Sequence, residues 1–151
     1  MSKELRYQNL LNYPAYYKKR YQNLDSILMY NFDYKIIDDK IVAECKANTH
    51  NVLLIVQGTK ITLDSRIFVD CSCESFKFEF AFAINQSNGL VYPGNYVTLT
   101  SKRPSGASKK NIFSYPTGCK HLIKLARMLY QLKNKIDVNR RLINDRTNTI
   151  W

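Results

Sequence analysis

The sequence predicts an α+β fold with N-terminal helices, a small and mostly antiparallel sheet, and a C-terminal helix. Apolar and polar residues alternate in several short runs between residues 34 and 73, which is the pattern of half-buried strands. Apolar residues then recur at helical spacing after residue 121. With 151 residues and 45% hydrophobic content, the chain is long enough to form one domain with its own core.

The first 33 residues are expected to form a helical arm. The pentapeptide RYQNL occurs at residues 6–10 and again at residues 20–24, and Pro14 between the two copies should interrupt the helix. Asn12 can cap the second helical piece. The apolar stripe of this piece comprises Tyr17, Tyr21, Leu24 and Leu28. We interpret the arm as packed on the core, with an aromatic and basic docking surface as the alternative.

The sheet is predicted to begin with a hairpin. Residues 34–37 and residues 41–45 alternate in polarity and flank an acidic turn at residues 38–40. Residues 52–57 have the composition of a buried strand, which should end at Gly58. These segments therefore predict the first three strands.

Residues 60–63 and 66–69 are predicted to be the next strands, and the second of them leads to Cys71. Four phenylalanines then follow at alternate positions, and this periodicity predicts a half-buried strand. They are Phe76, Phe78, Phe80 and Phe82. A short helix capped by Ser75 is the alternative. We interpret the phenylalanines as core residues rather than as a platform for stacked bases.

Residues 85–116 are expected to be a long insertion, because they are rich in Asn, Ser, Gly, Thr and Pro. One hairpin is predicted around residues 96–99. The second half of the insertion is basic and could contact phosphate or an acidic neighbour. Its basic residues are Lys102, Arg103, Lys109 and Lys110. The insertion interrupts a single domain that we expect to span residues 34–136.

The C-terminal helix is predicted from an apolar stripe that starts after Gly118. The stripe comprises Leu122, Leu125, Ala126, Leu129 and Leu132. Residues 137–151 contain few apolar side chains and are expected to form a tail. The last residue, Trp151, is predicted to contact a partner or to return to the core.

Three of the four cysteines and one of the two histidines occur as two close pairs, Cys71 with Cys73 and Cys119 with His121. A spacing of one intervening residue points both ligands of a pair to the same side, as one edge of a tetrahedron requires. We predict one structural Zn²⁺ ion at these residues. Three thiolates and one imidazole fill its four positions and leave none open for catalysis.

Cys45 and His50 could each replace one ligand of this set. Cys45 alternates with Ala43 and Ile41, so we interpret it as a small core residue. We interpret His50 as a turn residue, because asparagines lie close to it on both sides. Disulfides are disfavoured, since two cysteines one residue apart would pair only with strain.

The two pairs, with a strand predicted before the first and a helix after the second, resemble the SWIM-type zinc finger, whose pattern is Cys-x-Cys followed by Cys-x-His. The resemblance covers about half of the chain and implies a zinc-tethered β-β-α unit with Cys71, Cys73, Cys119 and His121 as ligands. The spacer, residues 74–118, is longer than is usual for that family, which implies that the insertion splits the finger. The arrangement also resembles small zinc-binding virion proteins of tailed bacteriophages.

The net charge of +11 and the pI of about 9.6 fit an anionic partner, namely nucleic acid, an acidic membrane surface or an acidic protein. No apolar run is long enough to cross a bilayer, and the first residues are polar, unlike a signal peptide. We therefore expect neither membrane insertion nor secretion by that route. The expected location is the virion if the chain is phage-encoded, and otherwise the cytoplasm.

We expect a non-enzymatic structural or assembly protein that acts through contacts with other subunits, and the phage resemblance implies a small component of a neck, tail or baseplate. A nucleic-acid-binding zinc-finger protein is the alternative. An enzyme is not expected, because the sequence has no Walker loop, no HExxH motif and no acid–base pair. The candidate partner contacts are Tyr7, Arg20, Tyr21, Lys102, Arg103, Lys109, Lys110 and Trp151.

Overall fold

The computed structural model describes residues 4–12, 24–95 and 117–136, and within these ranges it confirms the α+β fold. Its strands are β1 (Met29–Ile37), β2 (Lys40–Ala47), β3 (His50–Gln57) and β4 (Ile67–Cys71). Its α-helices are α1 (Tyr7–Leu11), α2 (Ala81–Gln86) and α3 (Lys120–Gln131). None of the helices in these ranges combines the length and the apolar character that a membrane span needs.

The sheet is an antiparallel meander in which each strand pairs with the next one along the chain. The predicted hairpin is confirmed, because Ile37 of β1 and Lys40 of β2 pair across a two-residue turn. Both turn residues, Asp38 and Asp39, have positive φ angles, 48° and 61°, which Asp tolerates better than most residues. Gly58, with a φ of 100°, ends β3 at the predicted position.

One face of the sheet carries the core, since alternate side chains of the two central strands are buried. The buried residues of these strands are Ile41, Ala43, Cys45, Ala47, Val52, Leu54 and Val56. The predicted C-terminal helix is confirmed as α3, which contributes its apolar stripe to the same core. Its buried residues are His121, Leu122, Ile123, Leu125, Ala126 and Leu129. Removal of these side chains from water stabilises the helix on the sheet.

The N-terminal segment, residues 4–12, belongs to the core. Leu5, Tyr7 and Leu10 have no exposed area. The segment runs beside β4, where Ile67 N donates a hydrogen bond to Leu5 O at 3.0 Å. The prediction that Tyr7 contacts a partner is wrong, because its ring is enclosed by the core and its hydroxyl donates to the carbonyl of Ala126 in α3.

The predicted helical arm is only partly within the described residues. α1 confirms its first helical piece, whereas residues 13–23 lie outside the described ranges. Leu24–Ser26 form a 3₁₀ turn with Leu24 buried, and Leu28 is 69% exposed, so the predicted apolar stripe does not extend to Leu28. β1 starts at Met29, which is earlier than the predicted first strand and inside the predicted arm. The boundary at residue 33 stays a prediction.

Residues 60–63 form a loop rather than the predicted strand. Ser65 N donates to Thr62 O at 3.1 Å, and Thr62 N donates to Ser65 Oγ at 2.9 Å. These local bonds use backbone groups that a strand would offer to its neighbour. Ile61 is nevertheless buried, so its apolar side chain anchors the loop to the core.

The segment with four phenylalanines is helical, so the strand predicted from its alternation is wrong. A π-helical turn at Phe76–Phe80 leads directly into α2. Phe76, Phe80 and Ile84 are spaced by four residues and are at most 1% exposed, so one helical face enters the core. The alternative of a short helix is therefore confirmed, although Ser75 makes no side-chain capping hydrogen bond. The interpretation of Phe76 and Phe80 as core residues is confirmed as well.

The described part of the insertion, residues 85–95, packs beside the N-terminal segment and β4. A Cβ atom on Gly89 would meet Leu5 Cδ2 at 2.6 Å, so glycine permits this close approach. Val69 N donates to Gly89 O at 2.7 Å, and Leu90 forms a parallel bridge with Val69. Residues 96–116, with the predicted hairpin at 96–99, and the predicted tail at 137–151 lie outside the described residues.

We expect Tyr7→Phe to lower the free energy of unfolding by about 1 kcal/mol, because the Ala126 carbonyl would lose a buried hydrogen bond. Burial raises the pKa of Tyr7 well above its usual range, so its hydroxyl remains a donor. Urea denaturation measures the effect. Tyr92→Phe is the matched control, since Tyr92 is 49% exposed. Equal effects of the two substitutions would contradict a specific role for the buried hydroxyl.

Candidate metal centre

Cys71, Cys73, Cys119 and His121 lie together, as their sequence spacing predicts. Their potential ligand atoms all lie within 4.8 Å of one another. The four side chains are 1%, 3%, 1% and 4% exposed, in that order. These residues could therefore hold one metal ion in the interior of the protein.

The first ligand pair is positioned by the end of β4. Cys71 is the last residue of this strand and pairs with Val52 of β3. Ser72 N donates to Asn51 O at 3.1 Å, and Asn51 N donates to Ser72 Oγ at 3.0 Å. Because these bonds fix the exposed Ser72 against β3, Cys71 and Cys73 on either side of it both turn into the interior.

The second ligand pair is positioned by the start of α3. Cys119 precedes this helix with an extended backbone, at φ −69° and ψ 168°, and His121 belongs to its first turn. A Cβ atom on Gly118 would meet Leu10 Cδ2 at 2.9 Å and Leu122 Cβ at 3.0 Å. The missing side chain at this position thus lets α1 pack directly against the start of α3.

The three thiols are hydrogen-bonded to one another, and their surroundings shift their pKa values in different directions. Hydrogen bonds from Cys119 and Cys71 hold the pKa of Cys73 well below its usual range, and Phe76 N donates another to Cys73 Sγ at 3.3 Å. Complete burial raises the pKa of Cys119 well above its usual range. The Cys119 hydrogen bond lowers the pKa of Cys71, but its hydrogen bond to Cys73 and its burial outweigh that and raise it. These surroundings therefore favour the protonated thiol at Cys71 and Cys119 and the thiolate at Cys73.

The imidazole of His121 is buried beside the thiols, with Nδ1 at 4.0 Å from Cys71 Sγ. The ring of His50 packs near it, and the two ring centroids are 5.0 Å apart. The interpretation of His50 as a turn residue is wrong, because it is the first residue of β3 and pairs with Ala47. The sequence signal for this placement was the position of His50 two residues before the buried Val52. Side chains alternate along a strand, so His50 lies on the same face of the sheet as Val52.

Cys45 is buried in β2 and does not belong to the cluster. The interpretation of this residue as part of the core is confirmed. Burial raises the pKa of its thiol to about 11, so the thiol stays protonated at neutral pH. A buried, protonated thiol is chemically inert, which separates Cys45 from the clustered cysteines.

A cavity of about 350 Å³ opens on the other face of the sheet. The lining residues that point away from the core include Glu44, Leu53, Asp70 and Tyr92. None of the four clustered residues lines this cavity. The cavity and the candidate metal centre are therefore separate features of the described structure.

The other predicted partner contacts lie outside the described residues, so their roles stay predictions. They are Arg20, Tyr21, Lys102, Arg103, Lys109, Lys110 and Trp151. On the described part of the chain, Lys120 and Arg127 are exposed on α3. Lys124 instead donates to the carbonyl of Ile27 at 2.7 Å and so helps to hold the helix in place.

No protein-family model matches this chain, and neither a curated protein nor a solved structure matches it. The family assignment suggested by the SWIM-type spacing thus stays a resemblance. The structure supports a broader description of the site. Three cysteines and one histidine in one buried group are consistent with a zinc-finger-like site.

Metal binding should release about two protons near neutral pH, because it replaces the protons on Cys71 and Cys119. The apparent affinity for Zn²⁺ should then rise about 100-fold from about pH 7 to about pH 8. Calorimetry in buffers of different protonation enthalpy counts the released protons, and chelator competition measures the affinity.

Cys45→Ser should leave the proton count unchanged, because this thiol lies outside the cluster. An affinity that is independent of pH over the same interval would show that the clustered thiols are not the ligands.

Proposed function

We propose that Cys71, Cys73, Cys119 and His121 bind one zinc ion with a structural role. We further propose that the chain is a non-enzymatic assembly protein acting through protein–protein contacts. The observation that carries the proposal is the burial of all four donors at the point where the end of β4 meets the start of α3.

The donor set favours zinc over other common metals. Thiolate sulfur and imidazole nitrogen are the ligands that Zn²⁺ prefers, and hard cations such as Mg²⁺ and Ca²⁺ prefer oxygen. Four protein ligands complete a tetrahedron, so no position remains for a reactive water molecule. This ligand count supports a structural role.

A metal at this site would connect distant parts of the chain. Cys71 and His121 are 50 residues apart in sequence, and α2 and the insertion lie between them. Structural zinc contributes on the order of 10 kcal/mol to the folding of small metal-binding domains. The ion would therefore fix α3 on the sheet and hold both ends of the insertion near the core.

The distribution of charge supports partner contacts outside the metal unit. The described ranges contain 12 of the 23 Lys and Arg residues and 10 of the 12 Asp and Glu residues, so their net charge is +2 and the rest of the chain carries +9. A net charge of this sign favours an acidic protein partner. The finer proposal, a virion component of a tailed phage, is supported only by the resemblance of the ligand spacing.

The same charge distribution favours a second candidate function, nucleic-acid binding. Concentrated Lys and Arg residues are the usual footprint of phosphate contacts. Lys120 and Arg127 on the exposed side of α3 would add to this footprint. The assembly function and the nucleic-acid-binding function require partners of different chemistry. The proposed zinc ion would have the same structural role in both.

We expect one zinc ion per chain in the purified protein and in Cys45→Ser, and loss of that ion in Cys119→Ser. Both substitutions replace a buried thiol with a hydroxyl, so the comparison isolates membership of the cluster. Elemental analysis counts the metal, and thermal denaturation should show a large loss of stability only for Cys119→Ser. A folded wild-type protein without zinc would overturn the proposed site.

For an assembly protein, we expect no saturable binding of single- or double-stranded DNA or RNA at about 150 mM salt. Fluorescence anisotropy with labelled oligonucleotides at several salt concentrations measures this. Saturable binding that weakens steeply with salt would favour the nucleic-acid function instead. In that case Lys109→Glu with Lys110→Glu should reduce the salt slope by about two, whereas Lys60→Glu, in the described ranges with their small net charge, should have little effect.

A further inference from the structure

The two edges of the sheet differ. The outer edge of β4 is covered, because Ile67 N donates to Leu5 O and Val69 N donates to Gly89 O. β1 lies at the other end of the strand order, and within the described residues no strand or bridge lies beyond it. An edge strand offers its backbone groups to a further strand, which makes this edge a potential site of pairing.

The geometry of the β1–β2 hairpin sets the direction of the backbone groups in β1. The residues that flank a two-residue turn exchange both hydrogen bonds, so Ile37 bonds to Lys40. Every second residue back along β1 is oriented in the same way, so Lys35 and Asp33 also bond to β2. The backbone groups of Ile36 and Tyr34 consequently point towards the outer edge.

The charged side chains of β1 would be complementary to those of a second, antiparallel copy of β1. If two copies of β1 pair in antiparallel orientation about Tyr34, Asp33 of each copy lies opposite Lys35 of the other. Both residues are exposed, so the pair lies on the outer face of the sheet.

This pairing would also offset a repulsion between two like charges within the chain. Asp33 lies directly opposite Glu44 of β2, and both residues are exposed. Like charges at directly opposite positions are destabilising. Lys35 of a second copy would lie beside Asp33 on its other side and would offset this repulsion.

We propose that a second copy of this chain pairs with β1, so that the two sheets join into one across a two-fold axis beside Tyr34. A bulge between Tyr30 and Asp33, where Asn31 has a φ of 56°, ends the regular part of the strand. A two-fold axis about Lys35 would place the two copies of this lysine opposite each other, so the charges favour the axis beside Tyr34. This inference extends the proposed assembly function, because it names one of the contacts. Edge pairing buries little area, so the dimer should be weak and concentration-dependent.

Sedimentation equilibrium of the zinc-loaded full-length protein tests the proposal. The wild type should dimerise reversibly, whereas Asp33→Lys and Lys35→Asp should each raise the dissociation constant by at least about tenfold, because each places like charges opposite one another. An equimolar mixture of the two variants should dimerise like the wild type, since opposite charges then face each other. The double variant Asp33→Lys/Lys35→Asp should also regain dimerisation.

Lys46→Asp is the matched control, because Lys46 is exposed on β2 beyond the bulge. It makes the same change of charge and should leave the dissociation constant unchanged. A monomeric wild type at about 1 mM chain, or a dimer that both single variants retain, would overturn the proposal. Zinc content is measured on the same samples, so loss of the metal site and loss of the edge contact are distinguishable.

Discussion

The end of the sheet and the start of α3 meet at four buried donor atoms, and any charge on such an atom needs a compensating partner. A thiolate in the interior is costly unless opposite charge or hydrogen bonds compensate for its lost hydration. Cys73 accepts hydrogen bonds from neighbouring thiols and from Phe76 N, at the start of the helical segment that leads into α2. A metal cation would replace these hydrogen bonds with four direct bonds to the donor atoms. The same cluster would then fix the end of the sheet, the entry to α2 and the start of α3.

The position of α3 is determined at two separate points along its length. Its first turn carries His121 of the cluster, and Gly118 just before it packs against Leu10 of α1. Further along, the Tyr7 hydroxyl reaches the carbonyl of Ala126. The N-terminal segment therefore holds the helix from the side that the metal centre does not reach. Removal of a metal from this cluster would therefore act on the start of α3, whereas the contact at Ala126 does not involve the cluster.

The clustering of the four donors was predictable from sequence because each half of the cluster is local. The pair Cys71 and Cys73 and the pair Cys119 and His121 each show their geometry in three residues, and a strand or a helix start suffices to orient them. The secondary structure of the phenylalanine segment was not predictable in this way. Phenylalanines at every second position fit one face of a strand, but they also include residues four apart, which fit one face of a helix. Phe76, Phe80 and Ile84 therefore fit a helical face as well as a strand. The burial of Tyr7 depends on contacts with α3, more than a hundred residues away, which no local pattern shows.

In the described structure, the residues that form the core and cover the edge of β4 differ from the exposed residues of β1. The inner face of the sheet is filled by α3 and the core, and the edge of β4 is covered by the segments around Leu5 and Gly89. Substitution of a metal ligand would therefore disturb partner contacts only through the position of α3 and the ends of the insertion. If β1 pairs with a second copy as proposed, changes at its exposed residues would alter that contact and leave the four clustered donors in place. The cluster and the exposed part of β1 share no residue, so a substitution in one leaves the side chains of the other unchanged.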